Sequence, residues 1–245
     1  GEEGGGGDDP RVAREAPMRK AFCNYFSAGA DAAVELAFCA ARWEAPEKFA
    51  GQTKNIVMHG VHGAKHVLAE KRIELGSMLR GLEIDGAKVE VPKGLQSVVC
   101  LNTASYAAGT APWGKPGAKT GLNPSRVDDG KIEVFGLKSL IHFVTLRVGF
   151  NGVRLGQGER VRLTLDTTED GVAMQADGEP WMQKGGTFEI ARAASIKVIP
   201  GIFVKGQFSE PGEKLVKSGA LKKVEKSGML KKVARKDGAG GSALQ

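Results

Sequence analysis

Apolar and polar residues change their period along the chain. Residues 21–27 form a short apolar run that reads as a strand. Behind it, Ala32, Val34, Leu36, Ala37 and Phe38 recur at helical spacing up to Arg42, with Asp31 in the position of an N-cap. Residues 54–70 keep helical spacing, but Gly60 and Gly63 weaken the centre of that segment. From Leu82 the period shortens. Residues 88–91, 97–102, 131–135, 161–167, 172–177, 187–191 and 195–199 read as short strands, most of them separated by Gly, Pro, Asn or Asp turn signals. One helical segment, 139–148, interrupts them. The pattern predicts a strand-rich α+β domain, most simply a β-sandwich with a few helices on its flanks.

Composition sharpens this outline. With 41% apolar and 26% charged residues over 245 positions, the chain has the make-up of a soluble globular protein large enough to bury a core. Its 35 glycines and 6% aromatics favour turns and sheet over a helical bundle. The best apolar run, 140–146, already contains His142 and falls short of the roughly 18 residues a spanning helix needs. Residues 1–17 read as a disordered acidic, Gly-rich lead without a signal peptide, 18–208 as the domain, and 209–245 as a flexible polybasic tail. Cys23, Cys39 and Cys100 are odd in number and far apart, which predicts buried, reduced thiols in a cytosolic protein.

The net charge of +7 suggests nucleic acid only until it is located. Residues 213–236 hold nine Lys or Arg and two Glu, while the other 26 basic and 26 acidic residues cancel. The body is neutral and no nucleic-acid partner is expected. Within the tail, residues 217–224 recur nearly unchanged as 226–233. Nine helical residues turn through about 900°, which would set the two apolar groups on opposite sides, so a continuous amphipathic helix is not expected.

Three clusters are candidates for chemistry. In an extended Gln175-to-Trp181 segment, Asp177 and Glu179 share a face roughly 6.6 Å apart along the strand. Such a pair can hold Mg²⁺ on one side and take a proton from a hydroxyl on the other. The same residues also read as a glycine-containing hairpin with exposed acids. Asp128 and Asp129 before Gly130 are either a turn or oxygen ligands for a divalent ion. His59, His62 and His66 share a helical face like metal ligands, but no carboxylate or Cys nearby completes a set, and surface histidines are the simpler reading. A nucleophile elbow, a Walker A loop and a dinucleotide fingerprint are all absent, and no strand precedes the run 4–9 that resembles a phosphate loop in composition.

Taken in order, the motifs resemble one family. Asn24-Tyr-Phe-Ser27-Ala-Gly29-Ala-Asp31-Ala is similar to the NYFSxGxDA opening of the diacylglycerol kinase accessory domain. Pro46-Glu-Lys-Phe49 is similar to its PEKF, Leu101-Asn102 with Ser105-Tyr106 and Gly109 to its LNxxSYxxG, and Asp128-Asp129-Gly130 with Val134 to its DDGxxEV. Arg147-Val-Gly149, Arg154-Leu and Gln157-Gly158 echo the segment that follows, and Asp177-Gly-Glu-Pro-Trp181 is similar to DGEPW.

The resemblance implies the β-sandwich-like C-terminal domain of the diacylglycerol kinase/NAD kinase-like superfamily. It implies a lipid kinase that moves the ATP γ-phosphate to diacylglycerol, giving phosphatidic acid. Its cofactors would be Mg²⁺ and ATP, and it would act in the cytoplasm at the membrane periphery. Asp177 would be the general base, Glu179 would lie at the Mg-ATP edge, and Asp129, with Asp128 beside it, would belong to a structural Mg²⁺ site. The family's SYGGG is Ser105-Tyr-Ala-Ala-Gly109 here, and its GGDGT phosphate loop is absent, so the ATP-binding half is expected as a separate partner and this chain is expected to be inactive alone. Two other readings share these residues: a non-catalytic module held on anionic membranes by the basic tail, and half of a sphingoid- or ceramide-type lipid kinase.

Overall fold

A computed structural model describes residues 11–12, 14, 18–49, 75–107, 109–166 and 169–195. The chain divides into two units, 1–196 and 197–245, and all the described residues lie in the first. The expected helix over 54–70 with its three histidines, almost all of the strand over 195–199 and the basic tail fall outside the described residues.

The chain builds β1 (Tyr25–Gly29), α1 (Ala30–Glu44), a 3-10 turn (Pro46–Phe49), α2 (Leu75–Met78), β2 (Leu79–Ile84) and β3 (Ala87–Lys88). It continues with β4 (Ser97–Leu101), β5 (Ile132–Leu137), α3 (Leu140–Thr145), β6 (Val153–Gly158), β7 (Arg160–Leu165), β8 (Val172–Ala176), β9 (Glu179–Gln183) and β10 (Gly186–Ala191). Six strands form one sheet in the order β6-β5-β4-β1-β8-β9, and four form a second in the order β10-β7-β2-β3. Among the described residues every pairing between strands is antiparallel.

Side-chain alternation explains the sandwich. Phe26 and Ala28, Val98 and Cys100, Ile132 and Val134, and Val172, Met174 and Ala176 leave one face of the six-stranded sheet and meet Leu82, Ile84, Val161, Leu163, Leu165 and Ile190 of the other. Burying side chains of this size contributes about 1.5–3 kcal/mol each. The second sheet turns Arg160 and Arg162 of β7 outward, so β7 alternates cleanly. The central strands of the larger sheet do not. β4, β5 and β8 are buried along their whole lengths, because α1, α3 and the loop after β4 cover the other face. There Val99, Leu101, Phe135 and Leu137 pack with Tyr106 and Leu146, and Ala32 and Ala33 of α1 sit on Ala173. Phe49 of the Pro46–Phe49 turn is buried against Phe38 with ring centroids 5.3 Å apart.

Several expectations shift. The first strand starts at Tyr25 rather than residue 21, and Asp31 does not cap α1. The cap position is Gly29, at φ 116°, where a Cβ would lie 2.1 Å from the Gln96 carbonyl oxygen. Only glycine permits this turn from strand to helix, which leaves the Asp31 side chain free to point into the protein. The third helix fits the reading of 139–148: Ser139 caps it by accepting the His142 N–H at 3.0 Å. The strand expected at 88–91 is reduced to the two residues of β3.

Candidate functional site

The antiparallel register brings the motif segments to one end of the six-stranded sheet. β1 and β9 begin there, β4 and β8 end there, and β5 starts beside them, with Tyr25 opposite Leu101 and Leu101 opposite Glu133. Asn24, Asn102, Asp129 and Asp177 are therefore neighbours along a single edge, although they span most of the sequence.

Asp177 is not extended. With φ 51° at Asp177 and 85° at Gly178, the two residues form the turn between β8 and β9. Two consecutive positive φ values match the twist of a hairpin, and Asp-Gly is suited to them. The turn breaks the alternation that would have set Asp177 and Glu179 on one face. Instead, the Asp177 carboxylate folds back over the start of β1. Oδ2 accepts the Cys23 N–H at 2.6 Å, and Oδ1 accepts those of Asn24 and Tyr25 at 2.8 and 2.9 Å. The Asp177 N–H in turn donates to the Tyr25 carbonyl at 3.0 Å. Asn102 completes the knot, its side chain donating to the Cys23 carbonyl at 2.8 Å and its backbone N–H to that of Asn24. Cys23 is exposed here and Cys39 is half-buried, against the expectation of buried thiols; only Cys100 is fully enclosed, and burial pushes its thiol up to about 12. Glu179 projects to solvent and pairs at 3.7 Å with Lys20, whose ammonium lies 4.6 Å from the centre of the Trp181 ring.

A second acidic centre lies inside. Asp31, 5% exposed, reaches from the first turn of α1 toward the helix-covered face of the sheet. Its Oδ2 accepts the Ser27 hydroxyl at 2.6 Å, the Tyr106 hydroxyl at 2.7 Å and the Gln175 amide at 3.0 Å. Ser27 and Gln175 are register partners on β1 and β8. Burial, and after it the Asp31 charge, pushes the Tyr106 hydroxyl well above the ordinary phenol range, so Tyr106 remains a donor. Tyr25 stacks edge-on to Tyr106 at 4.7 Å, and its hydroxyl is also raised, first by burial and then by Asp31, Glu35 and Asp177. All the residues of this cluster stand in or beside the motifs of the sequence. Its role was not legible there, because Asp31 read as a helix cap.

The Asp128–Asp129 segment precedes β5. Both Asp128 oxygens are engaged by the Arg126 guanidinium, at 2.9 and 2.8 Å, which holds this carboxyl below its usual range. Asp129 accepts the Lys131 N–H on one oxygen at 3.0 Å and keeps the other. Glu133, fully enclosed, accepts the Ser125 hydroxyl and the Gln157 amide, and burial raises its carboxyl. Among the described residues, no three His, Cys, Asp or Glu side chains converge on one point. The donor set suits a largely hydrated Mg²⁺ touching Asp129, since that ion keeps several waters beside one or two carboxylates. Asp128 joins only if its pair with Arg126 opens. β5 and β8 are three inter-strand steps apart, on the order of 14 Å, so Asp129 and Asp177 do not share one ion.

Fold and site together define a two-sheet α+β module that gathers amide and carboxylate side chains at one sheet edge. The family model of the diacylglycerol kinase accessory domain matches residues 21–180. The chain is similar to human diacylglycerol kinase kappa, 34% identical over 168 residues, covering 68% of this chain and 13% of that protein. It is similar to rice diacylglycerol kinase 1, 34% identical over 182 residues, covering 67% of this chain and 36% of the relative. Human diacylglycerol kinase zeta is 37% identical over 163 residues, which cover 65% of this chain and 17% of zeta. The chain belongs to the diacylglycerol kinase accessory domain family. It spans only about an eighth to a third of the length of these relatives.

Proposed function

We propose that this chain is the strand-rich half of a lipid kinase of the diacylglycerol kinase/NAD kinase-like superfamily, which moves the ATP γ-phosphate to the hydroxyl of diacylglycerol and yields phosphatidic acid. The observation that carries the reading is the motif-lined sheet edge, where the exposed Asp177 carboxylate is held by three backbone N–H groups. Fixing the carboxylate this way orients it before substrate arrives. Oδ2 accepts the Cys23 N–H and keeps an open lone pair for the lipid hydroxyl. Asp177 therefore orients the hydroxyl and takes its proton late, which suits a loose phosphoryl-transfer transition state that needs positioning more than deprotonation. Glu179 faces the nucleotide edge, and Asp129, with Asp128 beside it, holds a structural Mg²⁺. When bound with the nucleotide, Mg²⁺ supplies charge neutralisation for the transferred phosphoryl group.

The phosphate-cradling half comes from a partner segment carrying GGDGT. Among the described residues no helix is long and apolar enough to cross a membrane. The enzyme meets its substrate at the cytoplasmic membrane surface, and the basic tail supplies attraction to anionic lipid. The pure 245-residue chain is expected to produce no phosphatidic acid from ATP and diacylglycerol, and to produce it when combined with the ATP-binding half of a diacylglycerol kinase. Activity of the chain alone, or none after complementation with a competent half, overturns the reading.

A further inference from the structure

The Tyr25 hydroxyl makes no hydrogen bond among the described residues, although the donors around it are committed. Tyr106, stacked edge-on at 4.7 Å, gives its proton to Asp31, and the Asn102 amide gives one to the Cys23 carbonyl. Enclosed side-chain oxygens and nitrogens without a partner are confined, among the described residues, to Asp31 and Gln175. The unbonded Tyr25 hydroxyl is therefore reached by solvent, on a residue that is otherwise half-buried. The rest of Tyr25 is fixed. Its backbone N–H donates to Asp177 Oδ1 at 2.9 Å, its carbonyl accepts the Asp177 N–H at 3.0 Å, and its strand is paired with β4 and β8. A donor held still at an open edge, beside the carboxylate that meets the substrate, is preorganised for an acceptor that the substrate carries.

We propose that the Tyr25 hydroxyl donates to an ester carbonyl of the lipid whose hydroxyl Asp177 receives, and so favours diacylglycerol over lipids without that carbonyl; this rests on the lipid-kinase reading. Burial, and after it the charges of Asp31, Glu35 and Asp177, keep the proton on the phenol, so Tyr25 stays a donor. The same three carboxylates repel an anionic acceptor, which sets this donor against a phosphate oxygen and toward a neutral carbonyl. Diacylglycerol carries two such carbonyls, one of them on the carbon next to the hydroxyl-bearing one. Asp177 is bonded to the backbone of Tyr25 itself, so its carboxylate and the phenol stand about one tyrosine side chain apart. A hydroxyl and an ester carbonyl on neighbouring glycerol carbons bridge that span with a hydrogen bond at each end. In the lipid-free chain a water is the competing occupant.

Calorimetry on the 245-residue chain with two short-chain lipids below their aggregation concentrations tests the assignment. 1,2-Dihexanoylglycerol has the hydroxyl and both ester carbonyls; 1,2-di-O-hexylglycerol has the same hydroxyl and ether oxygens in place of the esters. The unsubstituted chain is expected to bind the diester about 5-fold tighter than the diether, as one neutral hydrogen bond allows. In Tyr25→Phe, which keeps the ring against Tyr106, the two lipids are expected to bind alike. Its melting temperature is expected to be unchanged, because the hydroxyl has no partner in the chain. Equal affinity of the unsubstituted chain for both lipids, or a preference that survives in Tyr25→Phe, overturns the assignment and leaves the lipid-kinase reading in place. A Tyr25→Phe chain that fails to fold, or melts several degrees lower, makes the hydroxyl part of the core and overturns it as well. No binding of either lipid also overturns it, and the lipid-kinase reading then stands or falls on the complementation assay.

Discussion

Asp85 and Asp177 do the same structural work in different sheets. Each opens an Asp-Gly hairpin turn at φ 51°, and each folds its carboxylate over the first backbone N–H groups of a neighbouring strand. Asp85 takes those of Glu159 and Arg160 at the start of β7, with 3.0 and 2.8 Å to its Oδ1, and Asp177 takes those of Cys23, Asn24 and Tyr25 at the start of β1. The backbone N–H of each also donates to the strand it clasps, Asp85 to the Arg160 carbonyl and Asp177 to that of Tyr25. Asp85 thus offers a structural comparison for Asp177, a turn aspartate with similar backbone contacts in the second sheet.

This pairing separates structure from chemistry. Asp85→Asn and Asp177→Asn each keep a side chain that tolerates the left-handed turn. Each is expected to cost roughly 1 kcal/mol in urea unfolding, because an acceptor of backbone N–H groups is lost. In the reconstituted kinase only Asp177→Asn is expected to lower turnover, by about 10²–10⁴-fold. Equal, small effects of the two substitutions on turnover would reduce Asp177 to a clasp.

The Tyr106 loop carries strain at one alanine. Ala107 sits at φ 41°, where a Cβ is disfavoured, inside a loop closed by reciprocal Tyr106–Thr110 backbone bonds of 2.9 Å. Ala107→Gly is expected to stabilise the chain by about 0.5–1 kcal/mol, read as a higher urea midpoint. An unchanged or lower midpoint would mean that the alanine is relaxed there.

Glu133 gives the fold a pH dependence of known sign. Burial raises its carboxyl above the ordinary value of 4.5 in the folded chain. Its contribution to stability is therefore fully present below that unfolded value and is lost as pH rises through the folded one. Glu133→Gln removes the charge and keeps an oxygen for Gln157 and an amide for Ser125. Its melting temperature is expected to exceed that of the unsubstituted chain at pH 7, with the advantage shrinking as pH falls toward 4. A constant difference across that range would exclude titration of Glu133 as the cause.

For the tail, the expectation is electrostatic. Nine cations lie within residues 213–236, each worth about 1 kcal/mol near an anionic leaflet. Co-sedimentation with vesicles containing phosphatidic acid is expected to rise with anionic lipid content and to fall with added salt. It should largely disappear when residues 213–245 are removed. Undiminished binding by the shortened chain would place the attraction in the body.

The sequence by itself was enough for the class of the fold and for most of its strands. The alternation of Arg160-Val-Arg-Leu-Thr-Leu165 shows on its own a strand with one wet face, and β7 has that form. The helical spacing of 139–148 was legible as well, and α3 lies within it. The order of the motifs was enough to mark the family. β2 and β6 escaped notice because Gly81 and Gly156 break their patterns, although pairing with long neighbours overrides that weak local preference. The site was decided by tertiary structure. Asp31 meets Tyr106 and Gln175 across 75 and 144 residues of chain, and Asp177 meets Cys23 across 154. No local spacing encodes such contacts. They exist because antiparallel register aligns the ends of β1, β4 and β8, and because a glycine at position 29 turns the first helix so that its aspartate faces inward.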